Sequence, residues 1–237
     1  MKIAAVSDIH GNIFAWNRTL WDIQKSNIDQ IYVLGDMIGY YPYPVEVIDS
    51  VVACNAVCIR GNHERMLEAV LAGRQPIEEI DRRYGHGLHV ALDTLADEQL
   101  DWLVHLPDCL EQEVDSMRIA FCHGTYDDKD AYLYSDSNRQ VFQKYSGSGM
   151  DVIFMGHTHY PFVFCGQPTL INTGSVGQAR DCGGMASWCE FNTENGAIVF
   201  HHTRYDTKEL ISKVKEIDPD VPYLCEVLER GMKDAFP

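Results

Sequence analysis

Five short segments of the chain place an acid, amide or imidazole side chain directly after an apolar run. The apolar runs are IAAV (3–6), IYVL (31–34), AVCI (56–59), IAFC (119–122) and VIFM (152–155). The residues that follow them are SDIHGN, GD, RGNHE, HG and GHTH. A carboxylate or imidazole at the end of a buried strand needs water, a polar partner or a ligand. The side chains concerned are Asp8, His10, Asn12, Asp36, Asn62, His63, His123, His157 and His159.

Most of these side chains form a donor set that is typical of a transition-metal centre. Two aspartates, four histidines and one asparagine favour Mn, Fe, Zn or Ni over Ca or Mg alone. Seven donors exceed what one tetrahedral zinc ion needs, and they suit two ions that share a bridging carboxylate. Two such ions, about 3.5–4 Å apart, stabilise in-line displacement at phosphorus. The seven donors are Asp8, His10, Asp36, Asn62, His123, His157 and His159.

The spacing of two residue pairs favours convergence on one site. Asp8 and His10 are two positions apart, as are His157 and His159, and in an extended chain such residues share a face. Each pair alone could be turn chemistry, a helix cap or a hydrogen-bonded structural residue. Five coincidences at five strand ends instead indicate a ligand site beyond the carboxyl ends of a sheet.

The elements that position these residues alternate between strands and amphipathic helices. This alternation predicts an α/β protein with a largely parallel sheet built from the strands before residue 160. The strands after residue 160 are joined by short turns and predict a second, mainly antiparallel sheet beside the first. Residues 64–117 are predicted to form a helical insertion, and residues 125–149 a loop or partial helix near the site. We expect residues 1–237 to form a single domain.

Composition narrows the class of protein. The chain has 237 residues, 46% of them hydrophobic, and a formal net charge of −16, so non-specific nucleic-acid binding is not expected. It lacks both an apolar run of about 18 residues and a secretory signal, so no membrane partner is expected. Eight cysteines without a CxxC pair favour reduced thiols in a cytoplasmic protein. A homo-oligomer is compatible with the sequence.

The motifs D-x-H, GD, GNHE, HG and GH-x-H, in this order, resemble those of the calcineurin-like metallophosphoesterase superfamily. The resemblance runs from Asp8 to about Arg180, and the combined motif is specific although each piece alone is weak. The segment INTGSVGQARD (171–181) resembles a loop of the small bacterial and archaeal phosphodiesterase-like branch. The resemblance implies an α/β (α+β) fold in which a sandwich of two β-sheets is flanked by helices.

The resemblance also implies a role for each matching residue. Asp36 would bridge two divalent or mixed-valence metal ions, and a metal-bound hydroxide would attack phosphorus. His63 would not bind metal but would protonate or stabilise the leaving-group oxygen. Asn12 and Arg180 are candidates for phosphate contacts, although an exposed loop position for Arg180 is equally compatible with the sequence. The first metal would be held by Asp8, His10 and His159, and the second by Asn62, His123 and His157.

The chain departs from the family pattern after Asp36. Many members, notably the Ser/Thr protein phosphatases, carry GD-x-x-D-R, whose second Asp orients and charges the catalytic histidine; here Gly39 and Tyr40 stand at those positions. Without that partner His63 is less readily protonated, which disfavours a protein phosphatase and favours substrates with better leaving groups. Three tyrosines in this stretch could stack on a base or pack the loop: Tyr40, Tyr41 and Tyr43.

The expected function is hydrolysis of small phosphodiesters or phosphomonoesters. A phosphoprotein and a dinucleoside polyphosphate stay open as other substrates. A catalytically silent scaffold of the same fold is the alternative of another class, and the presence of His63 and all seven donors argues against it. Five further histidines lack the context of a strand end and are expected to be structural or surface residues, although the first two could line an entrance: His86, His89, His105, His201 and His202.

Overall fold

The computed structural model describes residues 1–232 and contains two mixed β-sheets with helices packed outside them. The first sheet consists of β1 (Lys2–Val6), β2 (Gln30–Val33), β3 (Val57–Cys58), β9 (Met185–Asn192) and β10 (Ala197–Arg204). The second consists of β4 (Cys109–Val114), β5 (Met117–Cys122), β6 (Val152–Met155), β7 (Phe162–Phe164) and β8 (Thr169–Asn172).

Each sheet has a parallel part and antiparallel partners. In the first sheet, ordered β10-β9-β1-β2-β3, strands β1, β2 and β3 are parallel and β9 and β10 are antiparallel to their neighbours. In the second, ordered β4-β5-β6-β8-β7, strands β5, β6 and β8 are parallel and the outer strands are antiparallel. Parallel neighbours bring their carboxyl ends to the same edge, and five of these ends carry the predicted site residues.

The division of strands between the sheets differs from the sequence-based prediction. The strands before residue 160 do not form one sheet, because β5 pairs with β6, and β6 pairs with β8, in the second sheet. The strands after residue 160 are also divided, since β9 and β10 join β1 in the first sheet. A buried apolar run identifies a strand but not its neighbour, so the periodicity of the sequence could not assign the pairing.

Apolar side chains from both sheets form the core between them. Tyr32 of β2 stacks on Phe121 of β5 with ring centroids 3.9 Å apart. Phe154 of β6 meets Phe191 of β9 edge to face, with centroids 5.7 Å apart. These contacts cross from one sheet to the other, so the strand ends of both sheets are held in a fixed relation.

Helices pack against the outer faces of the sandwich. The N-terminal helix begins after Asn12, whose side-chain oxygen accepts the backbone N–H of Ala15, and buries Trp16 and Ile23 on its inner face. None of the described helices is long and apolar enough to cross a membrane. The helices are α1 (Ile13–Lys25), α2 (Pro44–Ala53), α3 (Asn62–Leu71), α4 (Ile77–Tyr84), α5 (Gly87–Thr94), α6 (Asp97–His105), α7 (Arg139–Gln143), α8 (Lys208–Ile217) and α9 (Tyr223–Glu229).

The helical insertion is shorter than the predicted range of 64–117. Helices α3 to α6 end at His105, and residues 109–114 then form β4, which pairs with β5. The side chains of β4 alternate between exposed and half-buried positions, with Glu111 and Glu113 on the exposed side. This alternation is typical of an edge strand, and its charges interrupt the apolar run that marks a buried one.

Candidate metal centre

The chain turns directly after the strands that carry the site. Asp8 and His10 have φ values of +57° and +54°, and His157 and His159 have +66° and +63°. The prediction that each pair shares a face of extended chain is therefore wrong, because all four residues lie in left-handed backbone. Asp36 adopts the same conformation, with φ +52°. Left-handed non-glycine residues are uncommon, and their clustering is a recurrent feature of functional sites.

The first donor group consists of Asp8, His10 and His159, all of them buried. Asp8 Oδ1 lies 3.2 Å from His159 Nε2 and 3.6 Å from His10 Nε2. The other oxygen, Asp8 Oδ2, accepts the backbone N–H of His157 at 3.0 Å, whereas Oδ1 has no hydrogen-bond partner. A buried carboxylate oxygen that is unpartnered and faces two imidazole nitrogens fits a metal ligand.

The second donor group is arranged around His123. Its Nε2 lies 3.0 Å from Asn62 Oδ1, 3.1 Å from His157 Nδ1 and 3.3 Å from Asp36 Oδ2. Donor atoms of Asp36, His123 and His157 all lie within 4.8 Å of one another. Oxygen and imidazole donors are thus combined here as in the first group, which suits a divalent transition metal.

Asp36 lies between the two groups. Its Oδ2 is 3.7 Å from His10 Nε2 of the first group and 3.3 Å from His123 Nε2 of the second. Its Oδ1 accepts the backbone N–H of His63 at 2.8 Å, which fixes the orientation of the carboxylate. One carboxylate oxygen therefore faces both groups.

Backbone carbonyls orient three of the imidazoles. In each case Nδ1 donates to a carbonyl oxygen, so that Nε2 faces the donor group. The pairs are His10 with Ile38 at 3.3 Å, His123 with Leu34 at 2.8 Å, and His159 with Gln178 at 2.7 Å. These contacts, together with the unpartnered Asp8 Oδ1, show that the donor set fits metal ions.

Burial and the charges of neighbouring side chains shift the pKa values at the site in a way that favours the binding of cations. Burial opposes ionisation of Asp8 and Asp36, but the neighbouring imidazoles outweigh it and hold the pKa of both carboxyls below its usual range. Burial lowers the pKa of His157 and of His159 to about 4. Burial also acts to lower the pKa of His123, but Asp36 outweighs it and raises that pKa to about 9. At neutral pH the carboxylates are therefore ionised and two of the imidazoles are neutral, as metal ligands must be.

His63 lies beside the donor groups without a charged partner on its Nδ1. Its Nε2 is 4.0 Å from Asp36 Oδ2, and its ring is buried and meets that of His10 edge to face at 4.7 Å. Burial lowers the pKa of His63 to about 3. The distances alone also allow His63 to join His10 and Asp36 as a third donor group.

Glu64 supports the site although the sequence assigned it no role. Its buried carboxylate accepts the backbone N–H of Gly61 at 2.7 Å, of Asp36 at 2.8 Å and of Met37 at 2.8 Å. The carboxylate thereby ties the loop after β2 to the first turn of α3. In the sequence, Glu64 stands three residues after Gly61, and a glutamate at this spacing commonly caps the first turn of a helix.

The two predicted phosphate contacts differ in their surroundings. Both amide hydrogens of Asn12 are engaged, with Gly177 O at 2.7 Å and the Tyr205 hydroxyl at 2.9 Å, and the residue is fully buried. Its side chain therefore has no free donor for a phosphate. Arg180 is half-buried rather than an exposed loop residue, its Nε has no hydrogen-bond partner, and its Nη2 lies 3.4 Å from the Tyr40 hydroxyl.

One tyrosine singled out in the sequence, Tyr40, lies beside the site with its ring centroid 4.5 Å from that of His10, but the exposed tyrosines at the site are others. Tyr40 and Tyr41 are 7% and 0% exposed and pack against the C-terminal helices, so the packing alternative holds for them. Tyr132 is 54% exposed, and its ring stacks on that of His157 with centroids 4.0 Å apart. Tyr134 stacks beside it at 6.2 Å. We call Tyr132 and Tyr134 the aromatic shelf.

Comparisons with known proteins identify relatives over most of the chain. The family model for the calcineurin-like phosphoesterase superfamily domain matches residues 1–196. An uncharacterised protein of Methanocaldococcus jannaschii is 30% identical over 230 residues, which cover 90% of this chain and 91% of that protein. A symmetrical bis(5'-nucleosyl)-tetraphosphatase of Nitrosococcus oceani is 34% identical over 111 residues, which cover 45% of this chain and 38% of that protein.

The fold is shared with a solved archaeal structure. The crystal structure of a hypothetical protein from Pyrococcus horikoshii superposes with a TM-score of 0.83 at 19% identity. The superposition covers 98% of this chain and 99% of that chain. At this identity the similarity shows a common fold only. The reaction has to be inferred from the residues of the site.

Proposed function

The chain belongs to the calcineurin-like phosphoesterase superfamily and is a hydrolase of phosphate esters, and we propose that it acts on small phosphodiesters or phosphomonoesters with two bound metal ions. The observation that carries this proposal is the position of Asp36 Oδ2, within 3.7 Å of His10 Nε2 and 3.3 Å of His123 Nε2. A carboxylate shared by two mixed donor groups suits two ions rather than one.

The proposed ligands are those that the motifs suggested. When bound, the ions would supply an activated water and neutralise charge on the phosphate. The chain itself supplies oriented donors, since the backbone carbonyls and the His157 and His63 amides hold the ligands before any ion arrives. The ions proposed are Mn, Fe, Zn or Ni. The first is assigned to Asp8, His10 and His159, and the second to Asn62, His123 and His157, with Asp36 shared.

His63 is proposed to stabilise the leaving-group oxygen. Its lowered pKa favours a neutral ring, which donates a hydrogen bond but does not readily transfer a proton. A neutral donor serves a leaving group that departs with little protonation, such as an aryl oxide or a phosphate. This argues for activated esters and diesters over phosphoserine or phosphothreonine.

Arg180 is proposed to bind the phosphate. Its side chain is half-buried, and its Nε lacks a protein partner. Its backbone N–H donates to His159 O at 3.4 Å, which holds the residue next to the first donor group. A guanidinium in this place can bind two phosphate oxygens in parallel, as a flexible ammonium would not.

A dinucleoside polyphosphate is a second candidate substrate, because the aromatic shelf borders the donor groups. Tyr132 lies directly on the ring of His157, so a base stacked on it would hold its phosphates near the proposed ions. Stacking of a base on an aromatic side chain contributes about 1–3 kcal/mol. The relative from Nitrosococcus oceani, named for hydrolysis of such a tetraphosphate, supports the same class.

Elemental analysis combined with two chromogenic substrates tests the proposed function. We expect at least two metal equivalents per chain, and hydrolysis of bis-p-nitrophenyl phosphate, p-nitrophenyl phosphate or both by the metal-loaded protein. A phosphoserine peptide serves as the comparison and is expected to react more slowly. Metal-loaded protein that hydrolyses neither chromogenic ester would overturn the proposal and favour the scaffold alternative.

A further inference from the structure

A second cluster of imidazoles and carboxylates lies at the corner between α4 and α5. Asp81 of α4, His86 between the helices and His89 of α5 offer donor atoms that lie within 4.8 Å of one another. Asp218, directly after α8, contacts His86 from the other side. The cluster therefore connects the helical insertion to the C-terminal part of the described chain. We call it the corner cluster.

The distances within the corner cluster suit a coordinated ion. His89 Nδ1 lies 2.9 Å and His86 Nε2 3.8 Å from the same oxygen, Asp81 Oδ2. Donors around a tetrahedral zinc ion, with bonds of about 2.0–2.2 Å, lie about 3.3 Å from one another, between these two values. Small side-chain movements would bring all three atoms to the required separation.

One carboxylate oxygen of the cluster lacks any partner. Asp81 is only 8% exposed, and its Oδ1 forms no hydrogen bond. A buried carboxylate oxygen without a hydrogen-bond partner is unfavourable. A cation bound beside it would remove that cost, whereas the hydrogen bonds already present leave it unchanged.

Asp218 orients His86 in the manner expected of a metal ligand. His86 Nδ1 lies 2.6 Å from Asp218 Oδ1, and the backbone N–H of His86 donates to the same carboxylate at 3.1 Å. Asp218 itself is buried. A histidine that binds metal through one nitrogen commonly donates its other ring N–H to a carboxylate, which fixes the tautomer. The Nε2 lone pair of His86 is then directed towards Asp81.

The surroundings favour a cation and give it access. A cleft of about 440 Å³ borders the cluster, and its lining has four carboxylates and one guanidinium. The side chains of His86 and His89 are 46% and 40% exposed, which leaves room for a water molecule as a further ligand. The charged lining residues are Glu78, Asp81, Arg82, Asp218 and Asp220.

We propose that Asp81, His86 and His89 form a separate site for one divalent transition-metal ion such as Zn²⁺, with Asp218 orienting His86. The site would be structural, because it joins α4 and α5 to the residue that follows α8. The corner also carries Tyr84, whose ring centroid lies 5.3 Å from that of His63. An ion here would therefore hold in place the segment that covers His63.

Zinc stoichiometry tests this site. Metal-free protein is loaded with excess Zn²⁺, desalted, and analysed for zinc by mass spectrometry. We expect the wild-type chain to retain one equivalent more than His89→Gln and one more than Asp81→Asn. His105→Gln is the matched control, since His105 is an exposed histidine that pairs with Asp101 on α6 and belongs to none of the donor groups. Equal zinc contents in all four proteins would overturn the proposal.

Two further measurements keep the test independent of the candidate metal centre and of variant folding. Asp36→Asn is expected to lose the metal equivalents of the candidate metal centre and to keep the one at the corner cluster. The proposals for the two sites can therefore be refuted separately. Zinc-loaded crystals of the wild-type chain should show an anomalous peak within about 2.5 Å of ring nitrogens of His86 and His89. Absence of that peak would also overturn the proposal.

Discussion

The Nδ1 nitrogen of His63 faces the backbone of Gly39 and has no hydrogen-bond partner. A Cβ atom at position 39 would collide with the imidazole ring, and Gly39 has φ +134°, which other residues rarely adopt. The missing family aspartate is thus explained by the backbone, because an aspartate could enter here only if His63 moved. The pocket around His63 is shaped for a ring that has no carboxylate partner.

Gly39→Ala is expected to reduce turnover by up to about 100-fold, since a displacement of about 1 Å at a catalytic group can cost that much. The metal content should not change, because Gly39 supplies no donor. Gly73→Ala is the matched control: Gly73 also has positive φ, +66°, but no atom lies within 4 Å of a Cβ built there. The turnover numbers of both variants are measured by steady-state kinetics. Equal turnover numbers for Gly39→Ala and Gly73→Ala would contradict the steric explanation.

His63→Ala should lower turnover by about 10²–10³-fold, the usual loss when one hydrogen-bond donor to a developing negative charge is removed. The two metal equivalents should remain bound, because in our assignment His63 is not a ligand. Elemental analysis alongside the kinetics makes the distinction. A parallel fall in metal content would place His63 in the donor group with His10 and Asp36 that the distances also allow.

Asp36→Asn should weaken both metal sites together, since one oxygen of Asp36 faces both donor groups. Asparagine keeps the shape of the side chain but removes its charge, so the change tests the bridge rather than the packing. Metal titration of the variant should show neither ion of the candidate metal centre retained after desalting. One of these two ions held at wild-type affinity would rule out the bridging role. Asp101→Asn, in an exposed pair with His105, serves as the control.

Metal uptake at pH 7 should release a proton from His123. The ionised carboxylate of Asp36 raises the pKa of His123 to about 9 in the metal-free protein, so the ring carries a proton that a metal ion must displace. At pH 10 that proton is already lost. Calorimetric titrations in buffers of different ionisation enthalpy should therefore count about one proton fewer at pH 10 than at pH 7. Equal counts would contradict a protonated His123.

Tyr132→Ala should raise KM for diadenosine tetraphosphate by about 5- to 160-fold if a base stacks on the aromatic shelf. Turnover of glycerol phosphate, which has no ring to stack, should change little. Comparing the two substrates in one variant separates lost stacking from damage to the neighbouring His157. An unchanged KM for the nucleotide would remove the support for the second candidate substrate.

The sequence predicted the strand ends and the donors because both depend on local order along the chain. Asp8, Asp36 and His157 could be identified from apolar runs that stop at a polar residue, and the structure brings the donors of all five segments together. These features follow from residue type and periodicity alone.

Other features depend on contacts between distant segments and were not predictable in this way. The role of Glu64 depends on where the loop after β2 lies relative to α3, and that of Tyr132 on the path of an irregular segment. The corner cluster requires Asp218 to meet His86 across 132 positions. The periodicity of the sequence does not predict such long-range contacts, and it does not determine which strands become neighbours.

The division of the donors between the two sheets has a consequence for folding. Asp8 and His157 are 149 positions apart, and they meet only after the sandwich has closed. In the unfolded chain these donors have no common location, so an ion bound by the full set binds the native state alone. Every such ion must then shift the folding equilibrium by mass action, by about 4 kcal/mol at a free concentration one thousand times its Kd. The concentration of free metal would thus determine the lifetime of the folded chain as well as its catalytic rate.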